Sequence, residues 1–585
     1  MSKIIIRNYT SHALDTLIAH GVHPVLARVF AARGIAKPEQ IKSDLSKLLP
    51  FKSLKNISKM AVFLADAIAT KKRLLIISDY DSDGATACAV GIRALREFGA
   101  IVDYLVPNRF EYGYGLTPEI VQLAASLTTG KRPDILITVD NGIASVEGVA
   151  EANRLGIQVL ITDHHLPGDE LPDAVAIVNP NQPGCNFPSK NIAGVGVIFY
   201  LMMALRAELR VRGAFISKKE PNLANLLDLV ALGTVADVVK LDENNRILVQ
   251  QGLYRIRNGY SCVGINALLN VVKRDLQQVS TFELGFMLGP RLNAAGRLDD
   301  MSFGIECLIT DDRLYATKIA MQLEALNHKR REIEASMQDS AQVILEKVFK
   351  EGQNSEQNDQ LPQSLSLFDP CWHQGVIGIL ASRIKDKLYR PVFVFAPGNE
   401  DEIKGSGRSI PGFHLRDALD LVSKRYPGLL LKFGGHAAAA GLTVRRNDFT
   451  KFCDAFEQIA QILLTPENLM RTIETDGDLD ESEMNLELAR HLTEQVWGQG
   501  FPYPTFNARF RVEDQSVVGE KHLKLKLRKY NSTIRKHSLS CIYDAMLFFC
   551  HDSLPKTIDA VYRLKVNEYR GKDTLQLTLD YWAQV

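Results

Sequence analysis

Acidic and histidine side chains follow three short apolar segments of the chain. The three acid-bearing segments are Asp79-Tyr-Asp81-Ser-Asp83-Gly84, Asp140-Asn-Gly142 and Asp163-His164-His165. If the apolar segments are parallel strands, their carboxyl ends meet at one edge of the sheet, which is where such sheets bind ligands. Five Asp and two His would then lie close together. Because so many carboxylates repel one another unless cations neutralise them, the pattern predicts a metal-dependent enzyme site.

The first of these segments carries three carboxylates at every second residue. If the chain stays extended there, all three carboxylates project to one side, and Gly84 permits the turn into a following helix. A calcium-binding EF-hand loop is the alternative, but its twelfth position requires a Glu. That position is Val90, so the EF-hand is excluded.

The other acidic segments are weaker signals when each is taken alone. Asp140-Asn-Gly is also ordinary turn sequence. Asp237 lies in the almost wholly apolar segment 231–239, where a buried carboxylate needs either a cation or a structural salt bridge. Mixed carboxylate and imidazole ligands suit Mn²⁺ and tolerate Mg²⁺, whereas zinc usually recruits more His or Cys. An acid between two acidic clusters can hold two cations about 3.5–4 Å apart, the arrangement that hydrolyses phosphoesters.

Composition limits the class of protein. A chain of 585 residues is too long for one hydrophobic core, so we expect three or four domains. The net charge of +1 gives no indication of a nucleic-acid partner. Eight Cys without a C-x-x-C pair argue against a zinc knuckle or a disulfide framework and favour a reducing cytoplasm. No signal-peptide pattern or run of about 18 apolar residues is present, so we expect a cytoplasmic protein without membrane association.

The periodicity of apolar residues divides the chain into segments. The first 50 or so residues predict short amphipathic helices, and residues 55–240 alternate strand and helix as in a doubly wound α/β domain. Residues 305–350 lack Pro and Gly and predict a long helix, which is followed by a polar linker over 351–360. Residues 365–460 predict a second α/β segment. Beyond residue 470 apolar residues alternate with polar ones, which predicts a small β-barrel or sandwich.

Several basic residues are placed to bind an anionic substrate. Arg109 follows a predicted strand end, and Arg291 and Arg297 flank Asn293 on what we interpret as a Gly-containing turn. Gly405-Ser-Gly-Arg408-Ser409 offers backbone N–H groups, hydroxyls and a guanidinium, which predicts an anion nest. For each Arg, the alternative is a surface salt bridge.

Basic residues also concentrate near the C-terminus, and aromatic residues lie close by in sequence. They are Lys521, Lys524, Lys526, Arg528, Lys529, Arg535 and Lys536, with Phe501, Tyr503 and Phe506. A basic sheet face with aromatic platforms suits single-stranded nucleic acid. The alternative is a solvated strand face whose lysines deter aggregation.

The acidic segments, together with Gly233-Thr-Val-Ala-Asp237, resemble in order and spacing the four motifs of the DHH phosphoesterase family. Three further segments resemble motifs of the branch of that family that degrades single-stranded DNA: Asn293–Leu298, Trp372–Gly378 and Gly434–Gly441. The resemblance runs over nearly the whole chain, and the only notable departure is Ser82, where the family often has Ala. It implies two α/β lobes, DHH and DHH-associated, joined by a long helix and followed by an OB-fold barrel.

The resemblance also implies domain boundaries and site residues. The boundaries are an N-terminal helical segment at 1–50, the DHH domain at 51–300, the connecting helix and linker at 301–355, the DHH-associated domain at 356–465 and the OB-fold at 466–585. The implied metal ligands for two Mn²⁺ or Mg²⁺ ions are Asp81, Asp83, Asp140 as the bridging acid, His164 and Asp237. His165, Asp140 and Asp79 are the implied catalytic residues, with His165 on the scissile phosphate and Asp79 either a ligand or a supporting acid. The implied substrate-binding residues are Arg109, Tyr114, Arg291, Asn293, Arg297, Ser406, Arg408, Ser409 and His436.

The function that the resemblance implies is exonucleolytic. We expect a monomer that degrades single-stranded DNA from a 5′-phosphorylated end to mononucleotides, in DNA repair and recombination. The expected protein partners are single-strand binding protein and a RecQ-type helicase. One alternative is a DHH oligoribonuclease or cyclic-dinucleotide phosphodiesterase, but these lack the long basic β domain. A catalytically silent scaffold is a further alternative, and it is disfavoured because every expected ligand position is filled.

Overall fold

The computed structural model describes residues 3–126, 132–353, 362–519, 521–530, 541–569 and 571–585. The strands within these ranges are β1 Lys3–Ile6, β2 Arg73–Ser78, β3 Ile101–Leu105, β4 Ile135–Val139, β5 Gln158–Thr162, β6 Ala176–Val178, β7 Leu365–Phe368, β8 Val392–Pro397, β9 Glu402–Arg408, β10 Lys432–Gly435, β11 Ala439–Arg445, β12 Thr472–Thr475, β13 Phe506–Val518, β14 His522–Lys529, β15 Ile542–Leu547, β16 Thr557–Tyr569 and β17 Lys572–Gln584. The helices are α1 Ser11–Ala19, α2 Pro24–Ala31, α3 Ile57–Ala69, α4 Ser82–Phe98, α5 Arg109–Tyr112, α6 Pro118–Ser126, α7 Val146–Arg154, α8 Gly194–Val211, α9 Leu227–Ala236, α10 Glu243–Arg257, α11 Val263–Val271, α12 Gly289–Leu298, α13 Ser302–Ile309, α14 Arg313–Gln353, α15 Ile377–Leu388, α16 Leu415–Arg425, α17 Phe449–Leu463 and α18 Leu486–Glu494.

The chain forms two compact units that are discontinuous in sequence. One comprises residues 6–324 and 474–585, and the other comprises residues 1–5 and 325–473. The C-terminal barrel therefore belongs to the same compact unit as the parallel sheet, although 149 residues of the other unit separate them along the chain.

A five-stranded parallel sheet forms the centre of the larger unit. Its strand order is β3-β2-β4-β5-β6, and β4 lies in the middle. The aliphatic side chains of β2, β4 and β5 are almost entirely buried, as expected for strands covered by helices on both faces. This confirms the doubly wound α/β prediction and sets the carboxyl ends of β2, β4 and β5 side by side.

The N-terminal segment differs from its prediction at one point. Helices α1 and α2 are present, but residues 3–6 form a strand, β1, which pairs with β12. The partner strand follows more than 460 residues later, and so the pairing has no local sequence signal.

The smaller unit contains a mixed sheet of order β10-β11-β9-β8-β7. Its core is aromatic, with Phe393 and Phe395 of β8 packed edge-to-face on Phe452 of α17. Helix α14 begins in the larger unit and ends in the smaller one. It extends to Gln353, past the predicted start of the polar linker, and residues 354–360 of that predicted linker lie outside the described residues.

The C-terminal strands close into a barrel of order β13-β14-β15-β17-β16. Alternate residues such as Phe506, Phe510 and Leu525 are fully buried inside it. The predicted period of two and the OB-fold are confirmed. Among the described residues, we find no helix with the length and apolar character needed to span a membrane.

Candidate metal centre

The carboxyl ends of three neighbouring strands bring the predicted acids and histidines together. Asp79 follows β2, Asp140 follows β4 and His164 follows β5, while Asp237 arrives from the end of α9. Their ligand atoms form three groups, each with all atoms within 4.8 Å of one another: Asp79, Asp81 and Asp140; Asp83, His164 and Asp237; Asp140, His164 and His165. Asp140 and His164 each belong to two of the three groups, so these two residues connect all three.

The loop that carries the three aspartates is shorter than predicted. Helix α4 begins at Ser82, and the Asp81 carboxylate caps it by accepting the N–H groups of Asp83 and Gly84 at 2.9 and 3.0 Å. The expectation of an extended segment up to Asp83 is therefore wrong. Because the helix turns the chain, Asp83 lies in a different ligand group from Asp79 and Asp81.

The first turn of α8 holds the buried Asp83 carboxylate. Its two oxygens accept the N–H groups of Gly194 and Val195 at 2.6 and 2.9 Å. A Cβ on Gly194 would lie 2.6 Å from Oδ1 of Asp140, so only glycine fits between these two acids. Sequence reasoning missed Gly194. The Gly194-Val-Gly196 sequence at a helix start was the available signal, since helix N-termini bind anions.

Three atoms at the centre of the cluster are buried and have no hydrogen-bond partner among the described residues. They are Oδ1 of Asp140, Nε2 of His164 and Oδ2 of Asp237. Nε2 of His164 lies 3.0 Å from the Asp140 oxygen and 3.5 Å from the Asp237 oxygen. Buried polar atoms that converge without hydrogen bonds are costly unless a further group binds them, and oxygen and imidazole donors fit a divalent cation such as Mn²⁺.

The electrostatics of the cluster support the same conclusion. Burial and the neighbouring Asp81 raise the pKa of Asp83 to about 7, and burial together with the other carboxylates raises the pKa values of Asp140 and Asp237. Burial and the neighbouring His165 lower the pKa of His164 to about 4, so its imidazole is neutral and its lone pair is available. Carboxylates with raised pKa values lose protons readily only when positive charge is supplied.

His165 is held by the side chain of Asp163. Nδ1 of His165 lies 2.8 Å from Oδ1 of Asp163, and the same oxygen accepts the backbone N–H groups of both histidines. The second Asp163 oxygen accepts the N–H of Ile143 at 2.9 Å. Although burial lowers the pKa of His165, its hydrogen bond to Asp163 and the nearby acids raise that pKa to about 9. The sequence predicted Asp163 only as part of the acidic cluster. Its contacts show that it orients the His165 ring.

Tyr114 lies at the open side of His165. Its hydroxyl is 3.2 Å from the His165 ring nitrogens, while half of the residue is exposed. Burial of the hydroxyl and the surrounding carboxylates raise its pKa, so it remains protonated. The side chain of Arg109, which was predicted nearby, lies outside the described part of the structure.

Helix α12 holds the aspartate loop from the other side. Oδ1 of Asn293 accepts both the N–H and the hydroxyl of Ser82, at 2.8 and 2.9 Å. Gly296 lies so close to the Tyr80 carbonyl that a side chain would collide with it. The interpretation of this segment as a turn is wrong, because Arg291, Asn293 and Arg297 all lie on one helix. Asn293, which we predicted to bind substrate, holds the start of α4 through these contacts.

The guanidinium of Arg291, on the same helix, contacts other residues of this chain. Its Nε lies 2.5 Å from Oε2 of Glu324, and its Nη1 donates to the Met287 carbonyl at 2.6 Å. The salt bridge that we considered as the alternative is therefore present at this position.

Two residues of the site adopt left-handed backbone conformations without being glycine. Asp140 and Val238 both have φ of 62°. Asp tolerates this region, whereas a β-branched residue does so only under strain. Val238 directly follows Asp237 and is 61% exposed, so no burial of its side chain offsets the strain.

The smaller unit does not contain the predicted anion nest. Residues 405–408 lie on β9, which pairs with β8 on one side and β11 on the other, and so the strand ladders use their backbone groups. Gly405 and Gly407 are required because the rings of Phe395 and Phe393 lie where side chains would be. The glycines serve packing, and the nest interpretation is wrong.

The predicted substrate residues of this unit have protein contacts. Nη1 of Arg408 donates to the Ser406 hydroxyl at 3.2 Å and to the Gly407 carbonyl at 2.8 Å, and burial lowers the pKa of Arg408. The hydroxyl of Ser409 is buried and donates to the Phe413 carbonyl at 2.7 Å. The backbone N–H of His436 donates to the Ala439 carbonyl at 2.8 Å, just beyond β10.

The barrel carries part of the predicted basic face. Lys524 and Lys526 on β14 are exposed, whereas Lys529 is buried and paired with Asp478 at 2.9 Å. The predicted aromatic platform is wrong, since Phe501 and Phe506 are core residues and the hydroxyl of Tyr503 donates to the Leu564 carbonyl. Arg535 and Lys536 lie outside the described residues.

Comparison with known proteins agrees with this architecture. Three family models match the chain: the DHH family N-terminal domain over residues 73–234, the DHHA1 domain over residues 363–461 and the RecJ OB domain over residues 475–581. The single-stranded-DNA-specific exonuclease RecJ of Dickeya dadantii is 48% identical over 571 residues, which are 97% of each chain. The chain belongs to the RecJ family.

Solved structures of RecJ extend the similarity to the fold. RecJ from Thermus thermophilus in complex with Mn²⁺ matches with a TM-score of 0.79 at 28% identity, covering 100% of this chain and 79% of that one. The Mg²⁺ complex of the same protein matches with a TM-score of 0.75 at 27% identity, over 100% of this chain and 78% of that one.

Proposed function

We propose that this member of the RecJ family hydrolyses single-stranded DNA stepwise from the 5′ end, releasing mononucleotides and using two Mn²⁺ or Mg²⁺ ions. The observation that carries the proposal is the convergence of unpartnered buried atoms from Asp140, His164 and Asp237 at the end of the central strand. Membership in the RecJ family supports single-stranded DNA as the substrate.

Asp81, Asp83, Asp140, His164 and Asp237 would hold the cations, and Asp140 would be the acid that serves both ions. Asp79 completes the group of Asp81 and Asp140. When bound, the cations lower the pKa of a water molecule and stabilise the charge on the leaving oxygen. The protein contributes fixed geometry, since backbone N–H groups hold Asp81 and Asp83 before any ligand binds.

His165 contacts the scissile phosphate. Although burial lowers its pKa, the hydrogen bond to Asp163 and the nearby acids raise that pKa to about 9 in the cation-free site, and in its protonated form the ring would donate a charge-assisted hydrogen bond to the phosphate oxygens. Asp163 maintains its orientation and Tyr114 borders it on the open side, where a nucleotide can enter.

Polarity comes from recognition of the 5′ terminus and not from the cations. The remaining basic candidates for this role are Arg109, Arg297 and Arg408, with Ser406 beside the Arg408 guanidinium. His436 lies in the same DHH-associated domain as Arg408 and contacts the DNA strand. The exposed Lys524 and Lys526 bind phosphates further along the DNA strand.

The chain acts as a monomer in DNA repair and recombination, and single-strand binding protein and a RecQ-type helicase are its partners in this proposal. An oligoribonuclease or cyclic-dinucleotide phosphodiesterase is the second candidate. The match of residues 475–581 to the RecJ OB domain argues against that candidate.

The testing experiment compares hydrolysis of a long 5′-phosphorylated single strand, a 5′-hydroxyl strand and dinucleotides in Mn²⁺. We expect rapid release of mononucleotides from the first substrate, and less than about 1% residual activity for Asp140→Ala. Activity confined to dinucleotides would support the second candidate. An Asp140→Ala variant that retains more than about 1% of the activity would contradict the two-cation site.

A further inference from the structure

Two large aromatic side chains lie exposed beside a short π-helix. Phe286 is 73% exposed and lies within the π-helix Glu283–Leu288, and Phe282 immediately precedes that helix and is 45% exposed. Their ring centroids are 5.2 Å apart with an interplanar angle of 29°. Single π-turns occur frequently at functional sites, and exposed apolar patches indicate binding surfaces.

The π-helix beside the aromatic pair packs on the helix that leads to the metal centre. A Cβ on Gly285 would be 3.1 Å from Cγ1 of Val235, and one on Gly289 would be 3.2 Å from the Ala236 Cβ. The π-helix therefore packs on the last turn of α9. The next residue after that turn is the candidate ligand Asp237.

On its other side the aromatic pair borders the barrel. The Thr281 hydroxyl donates to the Trp497 carbonyl at 2.7 Å, and Nζ of Lys565 on β16 lies 5.5 Å from the centre of the Phe282 ring. A groove of 660 Å³ runs between these elements, and Phe282 forms part of its wall. The groove is within one compact unit, so the barrel and the π-helix share it.

The charges along the groove nearly cancel. Five cationic side chains line it, Arg257, Arg274, Arg490, Arg563 and Lys565, against four acidic ones, Glu283, Glu494, Glu568 and Asp573. Arg490 is paired with Asp573 at 2.6 Å. With an excess of only one positive charge, the groove attracts phosphates or an acidic peptide weakly. The exposed Phe282 ring, with Phe286 stacked beside it, is therefore the main binding feature at this side of the groove.

We propose that Phe282 and Phe286 form a stacking platform for the bases of single-stranded DNA between the metal centre and the barrel. The proposal rests on the exonuclease function proposed above and adds a binding site to it. Stacking on aromatic side chains tolerates every base, as a nuclease without sequence preference requires. Because stacking releases no counterions, its contribution to affinity is independent of salt.

The test measures binding of full-length protein to fluorescent oligothymidylate and to an abasic strand of equal length, by anisotropy in EDTA so that no hydrolysis occurs. We expect Phe282→Ala with Phe286→Ala to weaken oligothymidylate binding about 5- to 100-fold. The slope of affinity against salt should stay unchanged, and the affinity for the abasic strand should not fall. Phe286→Tyr should retain binding, and Tyr254→Ala, which removes a 57% exposed aromatic elsewhere, should have no effect.

Two outcomes would overturn the proposal. Unchanged affinity of the double variant for oligothymidylate would show that the aromatic pair does not bind the bases. Equal losses on both strands would show that any contribution of the pair does not depend on the bases. Mn²⁺-dependent hydrolysis by the unaltered protein is measured in parallel. If the unaltered protein shows no hydrolysis, the exonuclease function itself is rejected. If it hydrolyses DNA and either of the two outcomes above is found, only the stacking platform is rejected.

Discussion

Gly194→Ala should separate the geometry of the metal centre from the stability of the fold. The added Cβ would lie 2.6 Å from Oδ1 of Asp140, roughly 1 Å inside the ordinary contact distance of about 3.5 Å. The added Cβ would also lie 2.7 Å from Cβ of Asp140, and because α8 is a long buried helix, the whole Asp140 side chain must shift. That oxygen now lies 3.0 Å from Nε2 of His164, and a displacement of about 1 Å at a catalytic group costs on the order of a hundredfold in rate.

The assay is the initial rate of Mn²⁺-dependent nucleotide release, together with Mn²⁺ affinity by calorimetry and the melting temperature. We expect a rate loss of about a hundredfold, weaker Mn²⁺ binding and a small change in melting temperature. Gly196→Ala is the matched control for overpacking the start of α8, because its Cβ would lie 2.5 Å from Cγ1 of the buried Ile192 and its three nearest atoms belong to that side chain, which is not a metal ligand. It should retain most of the activity. If Gly194→Ala bound Mn²⁺ and cleaved DNA as the unaltered protein does, the assignment of Asp140 to the cations would be refuted.

Three further outcomes are expected. Asp476→Asn should lower the melting temperature markedly, because the Arg33 side chain, which is 2% exposed, would lose the carboxylate that now lies 2.6 Å away. Breaking a buried ion pair costs about 3–5 kcal/mol, so an unchanged melting curve would contradict this prediction. The double variant Lys524→Gln with Lys526→Gln should reduce the salt dependence of DNA binding by about two counterions and leave hydrolysis of very short DNA strands intact. An unchanged slope in a salt titration would show that the DNA strand binds elsewhere on the protein. Val238→Gly should raise the melting temperature, because glycine relieves the strain of the left-handed conformation at φ of 62°, which is about 1–2 kcal/mol. A lower melting temperature would show that the exposed Val238 side chain stabilises the fold.

The sequence predicted the parallel sheet and the acidic cluster because both depend on local signals. Each buried strand is an unbroken aliphatic run, and its acid follows within a few residues. The contacts that the sequence did not predict join residues that are distant in sequence. Asn293 contacts Ser82 from 211 residues away, and Asp83 accepts its hydrogen bond from Gly194, 111 residues away.

The glycine-rich segment at 405–407 shows a different cause of error. Gly-Ser-Gly-Arg is compatible both with a phosphate-binding loop and with a strand crowded by aromatic rings. Phe393 and Phe395 decide for the strand, because their rings occupy the space above the glycines. No periodicity within 405–409 indicates which of the two the chain adopts.

The discontinuous larger unit has a consequence during synthesis. Phe30 stacks on Trp497 and Phe501, and Arg33 pairs with Asp476, which is made 443 residues later. At translation rates of about 5–20 residues per second, helix α2 waits roughly 20–90 seconds for these partners. During that time the nascent chain presents an aromatic side chain and a guanidinium that belong in the interior. The smaller unit, encoded entirely within this interval apart from its first five residues, can fold before the unit that surrounds it in sequence is complete.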